Sequence, residues 1–96
     1  MRKVKIATAK GERTVEANVY RLNFDGGTVA VFVHKEGFYP VLSHYTSGRQ
    51  INKLPIVALT KYPERDVAQE TLDWVTAKYG TEKVREQFQK HPTINP

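Results

Sequence analysis

Hydrophobic and polar positions alternate along most of the first sixty residues. In the stretch Thr28–His34, three valines point to one side of a predicted strand, and alanine, phenylalanine and histidine point to the other. Glu36-Gly37 predicts a tight turn, because glycine reaches positive φ without steric cost. The return strand is predicted from Phe38 to Tyr45. This hairpin is the element around which the rest of the chain can be arranged.

Two strands are predicted before the hairpin, over Arg2–Thr8 and Arg13–Leu22, with a turn at Lys10-Gly11. The register of a two-residue loop sets apolar residues opposite apolar ones and Lys5 opposite Glu16. The pairing is therefore antiparallel, and each strand has one aliphatic side.

The length of the loop at Asp25-Gly26-Gly27 decides which side of the second strand shares a sheet face with which side of the third. A shift of one residue in the pairing moves every side chain of a strand to the opposite face. A two-residue loop would place Val19 with Phe32, and a three-residue loop places it with Val33. We favour three residues with a glycine bulge. The predicted aliphatic face then comprises Val4, Ile6, Val15, Ala17, Val19, Val29, Val31, Val33 and Leu42, and the opposite face comprises Lys3, Lys5, Asn18, Tyr20, Phe32, His34, Tyr39, Val41 and Tyr45.

The pattern changes to helical spacing after residue 62. An apolar stripe predicts a helix from Pro63 to Tyr79, which Gly80 would end. A second, shorter helix is predicted from Thr81, its capping residue, to Lys90. The stripe comprises Val67, Ala68, Thr71, Leu72, Val75 and Tyr79, with Trp74 on its flank. The apolar run Leu54–Leu59 between sheet and helices predicts either a short fifth strand or a buried crossover.

These elements predict one α+β domain over residues 1–96. It consists of a four-stranded antiparallel meander, or five strands with the short one, with the long helix on one face and a short C-terminal helix. Residues 1–61 form the sheet half and residues 62–91 the helical half, and residues 92–96 are expected to be a frayed tail.

Charge is distributed unevenly between the two halves. The net charge is +5, but residues 1–61 hold ten Lys and Arg against four Asp and Glu, whereas residues 62–96 hold five against six. A basic half attracts nucleic acid or an acidic protein surface. The chain has no cysteine, which excludes disulfides and fits a cytoplasmic location. No apolar run approaches the roughly 20 residues of a membrane span, so no membrane partner is expected.

The predicted face opposite the long helix is the best candidate for binding. Aromatic rings on an open sheet can stack bases, and cations beside them can contact phosphates. On this face the candidates are Lys3, Lys5, Tyr20, Phe32, Tyr39 and Tyr45, and exposed turns add Lys35 and Arg49. Burial of the same face under the second helix or a partner subunit is the alternative.

No catalytic constellation is predicted. Ser43 and His44 suggest a nucleophile and a base, but adjacent strand residues point to opposite faces. The three histidines match no metal-ligand spacing. We therefore predict neither an enzyme nor a metal or cofactor site.

The segment Phe38-Tyr39-Pro40-Val41-Leu42-Ser43-His44-Tyr45-Thr46-Ser47-Gly48 resembles a pattern in small phage and mobile-element proteins. In that pattern an aromatic strand leads into Ser/Thr-His, two further residues, then Ser/Thr-Gly, and a helix comes next. Here the aromatic residues lie further upstream than the usual tryptophan, and Pro40 is unusual. The resemblance implies a non-enzymatic accessory protein that binds DNA or blocks a host nucleic-acid enzyme.

The sequence supports two functional hypotheses. The first is a module that binds nucleic acid through the basic, aromatic-bearing sheet half. The second is a protein-interaction or inhibitor module that uses the aromatic face or a sheet edge, with a homodimer that buries this face as a variant.

Overall fold

The alternating half of the chain forms five strands in the computed structural model, which describes residues 1–96. The strands are β1 (Arg2–Thr8), β2 (Gly11–Phe24), β3 (Gly27–Glu36), β4 (Tyr39–His44) and β5 (Gln50–Lys53). They are antiparallel neighbours in sequence order. Three helices come after them, α1 (Ile56–Leu59), α2 (Glu64–Tyr79) and α3 (Thr81–Lys90). The predicted α+β class is confirmed; the sheet has a fifth strand, but this strand lies at Gln50–Lys53 and not in the run Leu54–Leu59.

Helix α2 covers one side of the sheet, as its apolar stripe predicts. It starts after Pro63 with two carboxylates in its first turn, where they complement the helix dipole, and it ends at Gly80. Its buried residues are Val67, Ala68, Thr71, Leu72 and Val75, whereas Tyr79 is exposed. Three of them, Val67, Ala68 and Leu72, pack on Leu22, Val31, Val33, Leu42 and Leu54 to form what we call the helix-side core.

The turn between β2 and β3 has two residues, so the predicted three-residue loop is wrong. Asp25 and Gly26 both have positive φ, +52° and +77°, which is the conformation of a two-residue hairpin turn that matches the strand twist. Val19 consequently lies opposite Phe32 and not on the side of Val31. The first half of β2 therefore presents its aliphatic residues to the side of the sheet that α2 does not cover.

The other two hairpin turns keep the predicted faces but move along the chain by one residue. The β1–β2 loop is Ala9-Lys10, which sets Val4 opposite Val15. The β3–β4 loop is Gly37-Phe38, because the positive φ of Gly37 falls on the first loop position. Each pairing is thus offset by two residues from the predicted one, and no side chain changes sides.

The first hairpin covers the second side of the sheet. β1 pairs only with Gly11–Ala17 of β2, while β3 pairs with the remaining half, so β2 has different neighbours along its length. The amide of Ala7 donates to the Gly48 carbonyl, 3.0 Å away, although β1 and β5 are at opposite ends of the strand order. Such a bond requires the sheet to curl. Inside the curl lies what we call the hairpin-side core: Val4, Ile6, Ala17 and Phe32, with Val15, Val19 and Tyr45 against them.

The C-terminal segment is anchored, which contradicts the expected frayed tail. The Asn95 side chain accepts from the Lys5 amide at 2.9 Å and donates to the Lys5 carbonyl at 2.8 Å. It also donates to the carbonyl of Tyr45 at 2.7 Å. Asn95 thereby fastens β1 to the β4–β5 connection, as a strand neighbour would.

The apolar run after β5 is neither a strand nor a buried crossover. Pro55 precedes the single helical turn α1, none of whose residues is buried. Helix α3 has no side-chain cap from Thr81, which is its first residue. Its Phe88 packs on the helix-side core, so α3 does not cover the predicted aromatic face.

Candidate functional site

The predicted aromatic face is not a surface. Phe32 is fully buried in the hairpin-side core. Tyr20 lies on the other side of the sheet, where its hydroxyl donates to Glu64 Oε1 at 2.7 Å. Burial and then Glu64 raise the pKa of Tyr20 to about 12, which keeps the phenol protonated. The face was misassigned because the β2–β3 loop is one residue shorter than predicted.

Tyr39 and Tyr45 remain accessible, each beside a cation. The Lys53 Nζ lies 4.8 Å from the centre of the Tyr39 ring. The Arg2 guanidinium carbon lies 5.4 Å from the Tyr45 ring centre, and Arg2 also donates to the Tyr45 hydroxyl at 2.9 Å. These cation–π contacts order long side chains at the surface.

The predicted cations are all exposed, but they belong to separate parts of the fold. Lys3 and Lys5 lie on β1, Lys35 near the end of β3, and Arg49 in the β4–β5 connection. Lys5 has Glu12 as an ion-pair partner at 3.7 Å, and Lys3 lies opposite Glu16. The lysines of β1 are thus alternated with carboxylates of β2, and the four predicted cations do not form one basic patch.

An apolar groove lies between β5, α1 and α2, with a volume of about 710 Å³. Four large side chains line it and remain strongly exposed: Tyr39 (52%), Ile56 (47%), Val57 (68%) and Trp74 (52%). The name "apolar groove" refers below to this cavity together with these four residues. Its floor includes buried Leu54 and Val67, so the groove opens directly above the helix-side core.

Local sequence explains why these side chains face outward. Helix α1 is a single turn that begins after Pro55, too short to turn a full apolar face inward, so Ile56 and Val57 stay in solvent. Trp74 lies beside the buried stripe of α2 and not within it. The unalternated run Leu54–Leu59 is the sequence signal for this groove, although its pattern alone predicts only a connection.

Two lysines and one carboxylate lie at the apolar groove. Lys53 lies over Tyr39, and the Lys78 Nζ lies 4.9 Å from the Trp74 ring centre. Glu70 is the one acidic residue that lines the groove. An apolar floor with lysines at its margin suits a ligand that is itself apolar and negatively charged.

His44 forms a buried pair with Ser47, which the sequence did not predict. Ser43 and His44 point to opposite sides of the sheet, as expected, and Ser43 is paired with Phe32. The His44 Nδ1 lies 2.8 Å from the Ser47 Oγ. Burial lowers the pKa of His44. Because the Ser47 amide donates to Nδ1 at 3.3 Å, this nitrogen is an acceptor, and the hydroxyl donates to it. Ser47 is only 2% exposed, its Oγ accepts from the Arg49 amide, and the structure places no carboxylate against the ring. In this geometry the pair holds the β4–β5 turn.

The same turn explains three residues of the segment Phe38–Gly48, namely His44, Ser47 and Gly48. Gly48 has a φ of +68°, and a Cβ there would lie 2.8 Å from the Lys5 carbonyl oxygen and 3.0 Å from the Ala7 nitrogen. His44, Ser47 and Gly48 therefore bring the β4–β5 turn against β1 without a side chain between them. The role of these three residues is therefore structural: they let the curled sheet close on itself between β1 and the β4–β5 turn.

No group of three His, Asp or Glu side chains is arranged to hold a metal ion. None of the helices has the length and hydropathy needed to cross a membrane. Comparison with protein-family models gave no match, and comparisons with curated proteins and with solved structures gave no significant similarity.

Proposed function

We propose that this chain is a non-catalytic protein-interaction module, which binds an apolar, acidic segment of a partner protein in the apolar groove. The observation that carries the proposal is the concentration of four exposed large apolar residues around one cavity. Exposed apolar residues scattered singly are normal on a soluble protein, whereas their convergence on one groove marks an interaction surface.

These four residues lie outside both cores. Both sides of the sheet are already filled, one by α2 and the other by the first hairpin. Trp74 and Tyr39 are residue types that contribute most to binding energy when a partner excludes water from them. Their exposure in the free chain is therefore better explained by a partner than by packing.

The charge of the margin defines the chemistry of that partner. Lys53 and Lys78 are already positioned over the Tyr39 and Trp74 rings, and neither has a carboxylate within ion-pair distance. Aspartate or glutamate beside large apolar residues of the partner would complement them. This partner joins the protein-interaction module of the second sequence-based hypothesis to the acidic protein surface that the basic half favours, and the contact is now assigned to the groove.

Selection from a random peptide library, with the intact chain as bait, tests the proposal. We expect enriched sequences that combine large apolar residues with Asp or Glu. Trp74 is the single tryptophan of the chain, so binding of a selected peptide should shift its emission to shorter wavelength.

Val57→Asp should weaken binding at least about tenfold, because it places a like charge where the acidic segment docks. Phe38→Asp is the matched control: Phe38 is 93% exposed, and it does not line the groove. The proposal is wrong if selected peptides lack acidic residues, or if both variants bind them equally.

A further inference from the structure

A second cleft lies where β1, β2, β3 and the C-terminal segment meet, with a volume of about 530 Å³. Its polar side chains are those of Arg2, Arg21, Thr28, Tyr45 and Thr46, with His44 and Asn95 at its margin. It shares no residue with the apolar groove, so a ligand of this cleft does not depend on the proposed function. We call it the arginine cleft.

The two arginines of this cleft form no ion pair with a carboxylate side chain. Lys5, Arg13 and Arg85 each form an ion pair with a carboxylate, on Glu12, Glu36 and Asp25 respectively. Arg2 and Arg21 form none, and no Asp or Glu lines the arginine cleft. Two guanidinium groups that share one concavity attract an anion, because it relieves their mutual repulsion and is less screened there than on an open surface.

Arg2 is positioned by Tyr45, which is itself positioned by the hairpin-side core. Tyr45 packs edge-on against the buried Phe32 ring, with 6.4 Å between ring centres. The Tyr45 carbonyl accepts from Asn95, which fixes its backbone. Arg2 then stacks on the Tyr45 ring and bonds its hydroxyl. A guanidinium that is ordered before binding loses less conformational entropy when a ligand arrives.

The donors in the arginine cleft match a phosphate group. Only one N–H of Arg2 is used within the protein, and Arg21 makes one long contact, 3.4 Å, with the Thr28 hydroxyl. Because the Tyr45 oxygen accepts from Arg2, its own proton remains free to donate. Guanidinium forks and hydroxyls around one open space are the donors that bind tetrahedral phosphate oxygens.

The arginine cleft continues along the surface into a second depression of about 560 Å³. The two share Thr28, Val29, His44 and Thr46, and the second leads on to Phe88 and His91. Phe88 is stacked on His44 there, with 4.3 Å between ring centres, so the partly exposed ring of His91 is the one left for a base. A continuous trough with arginines at one end and this ring at the other suits an extended chain that carries both phosphates and flat bases. A duplex keeps its bases stacked inside and cannot present them to such a ring.

We propose that the arginine cleft binds a phosphodiester of single-stranded nucleic acid, with Arg2 and Arg21 on the phosphate and the neighbouring bases in the trough. This assigns the nucleic-acid contact to residues that are mostly different from those predicted from sequence. Only Tyr45 belongs to both sets.

Fluorescence anisotropy with labelled single-stranded RNA and DNA of about ten nucleotides tests this assignment. Arg21→Ala should weaken binding at least about tenfold at low salt, since it removes a charge-assisted contact. It should also reduce the slope of log affinity against log salt by about 0.7. Arg2→Ala should behave alike, and unchanged thermal midpoints would show that both variants are folded.

Lys10→Ala is the control, because Lys10 is an exposed cation in the β1–β2 turn that lines neither depression. It should change affinity less than about twofold and leave the salt slope unaltered. An equal loss in Lys10→Ala would overturn the proposal, since binding would then be a property of net charge.

Competition distinguishes the source of the phosphate. Unlabelled single strands should displace the probe, whereas inorganic phosphate, a mononucleotide, a duplex or a phosphopeptide should compete far less. Displacement by any of these at the concentration of the single strand would overturn the assignment to single-stranded nucleic acid. Failure of the oligonucleotides to bind at low salt would overturn the site altogether.

Discussion

The two sides of the sheet are closed by different means. On the helix side, α2 presents a regular apolar stripe, and eight buried residues form the core. On the hairpin side, the sheet curls over itself and buries a cluster of four. The first closure relies on apolar area, and the second also requires a turn without a side chain at Gly48 and a bridging amide at Asn95. A sheet buried on both sides leaves binding to its ends and margins.

Each proposed binding surface lies at the margin of one of the two cores. The apolar groove opens where α1 and α2 leave part of the helix-side core uncovered. The arginine cleft opens where Tyr45 emerges from the hairpin-side core. In each, a cation lies over an aromatic ring whose position the adjacent core defines.

Gly48→Ala should have the largest effect on the hairpin side. The substitution strains a positive φ, at about 1–2 kcal/mol, and it drives a methyl group against the β1 backbone at Lys5 and Ala7. With the loss of the Ala7–Gly48 hydrogen bond, we expect about 3 kcal/mol less stability in urea denaturation.

Gly37→Ala separates strain from close approach. Gly37 also has a positive φ, +63°, but a Cβ there meets nothing within 4 Å. It should therefore cost only the strain, about 1 kcal/mol. Equal losses in the two variants would show that β1 does not press against the β4–β5 turn.

Asn95→Ala should cost less than Gly48→Ala, about 2 kcal/mol, because it leaves the Lys5 amide and two carbonyls without their partner. Asn95→Asp keeps the acceptor for Lys5 but turns a buried carboxylate oxygen towards two carbonyl oxygens, so its loss should exceed that of Asn95→Ala. Amide hydrogen exchange of β1 should accelerate in both variants while exchange in α2 is unchanged. A loss of protection spread equally over both elements would contradict separate closures.

Acidification should produce the smallest effect. Burial lowers the pKa of His44, so the unfolded chain binds a proton at higher pH than the folded chain does. Stability should fall as pH decreases from about 6.5 towards the lower, folded pKa, and no further below it. The carboxylates of Glu36 and Asp25, whose pKa values are lowered by His34 and Arg85 respectively, act at more acidic pH.

His44→Gln should flatten this part of the stability profile, because glutamine does not titrate. His91→Gln is the matched control, because His91 does not take part in the buried hydrogen bonds of His44. A native slope that persists in His44→Gln would assign the pH dependence to another group.

Local patterns in the sequence were sufficient to predict the elements and the helix side. The alternation of β3, the stripe of α2 and the stop at Gly80 each depend on neighbouring residues, so they could be recognised without knowledge of the whole fold. The α+β class and the bounds of α2 and α3 could be inferred from them.

The hairpin side was missed because it depends on one turn and on distant contacts. Asp25-Gly26 is itself a two-residue turn signal. The prediction of a three-residue loop with a bulge assigned the side chains of β1 and of the first half of β2 to the wrong side of the sheet. The bonds of Asn95 to Lys5 join residues ninety positions apart, and no local pattern signals them. The cleft at Arg21 depends on this same long-range arrangement, whereas the groove at Trp74 depends on how α1 lies against β5 and α2.

Hydroxyl-radical footprinting of the aromatic residues tests the central claim most directly, namely that both sides of the sheet are buried and that binding occurs beyond them. We predict rapid modification of Phe38 and Trp74, and protection of Phe32 comparable to that of a core residue. A groove-binding peptide should then protect Trp74 and leave Phe38 unchanged. Modification of Phe32 as rapid as that of Phe38 would show an open sheet face and would contradict the account.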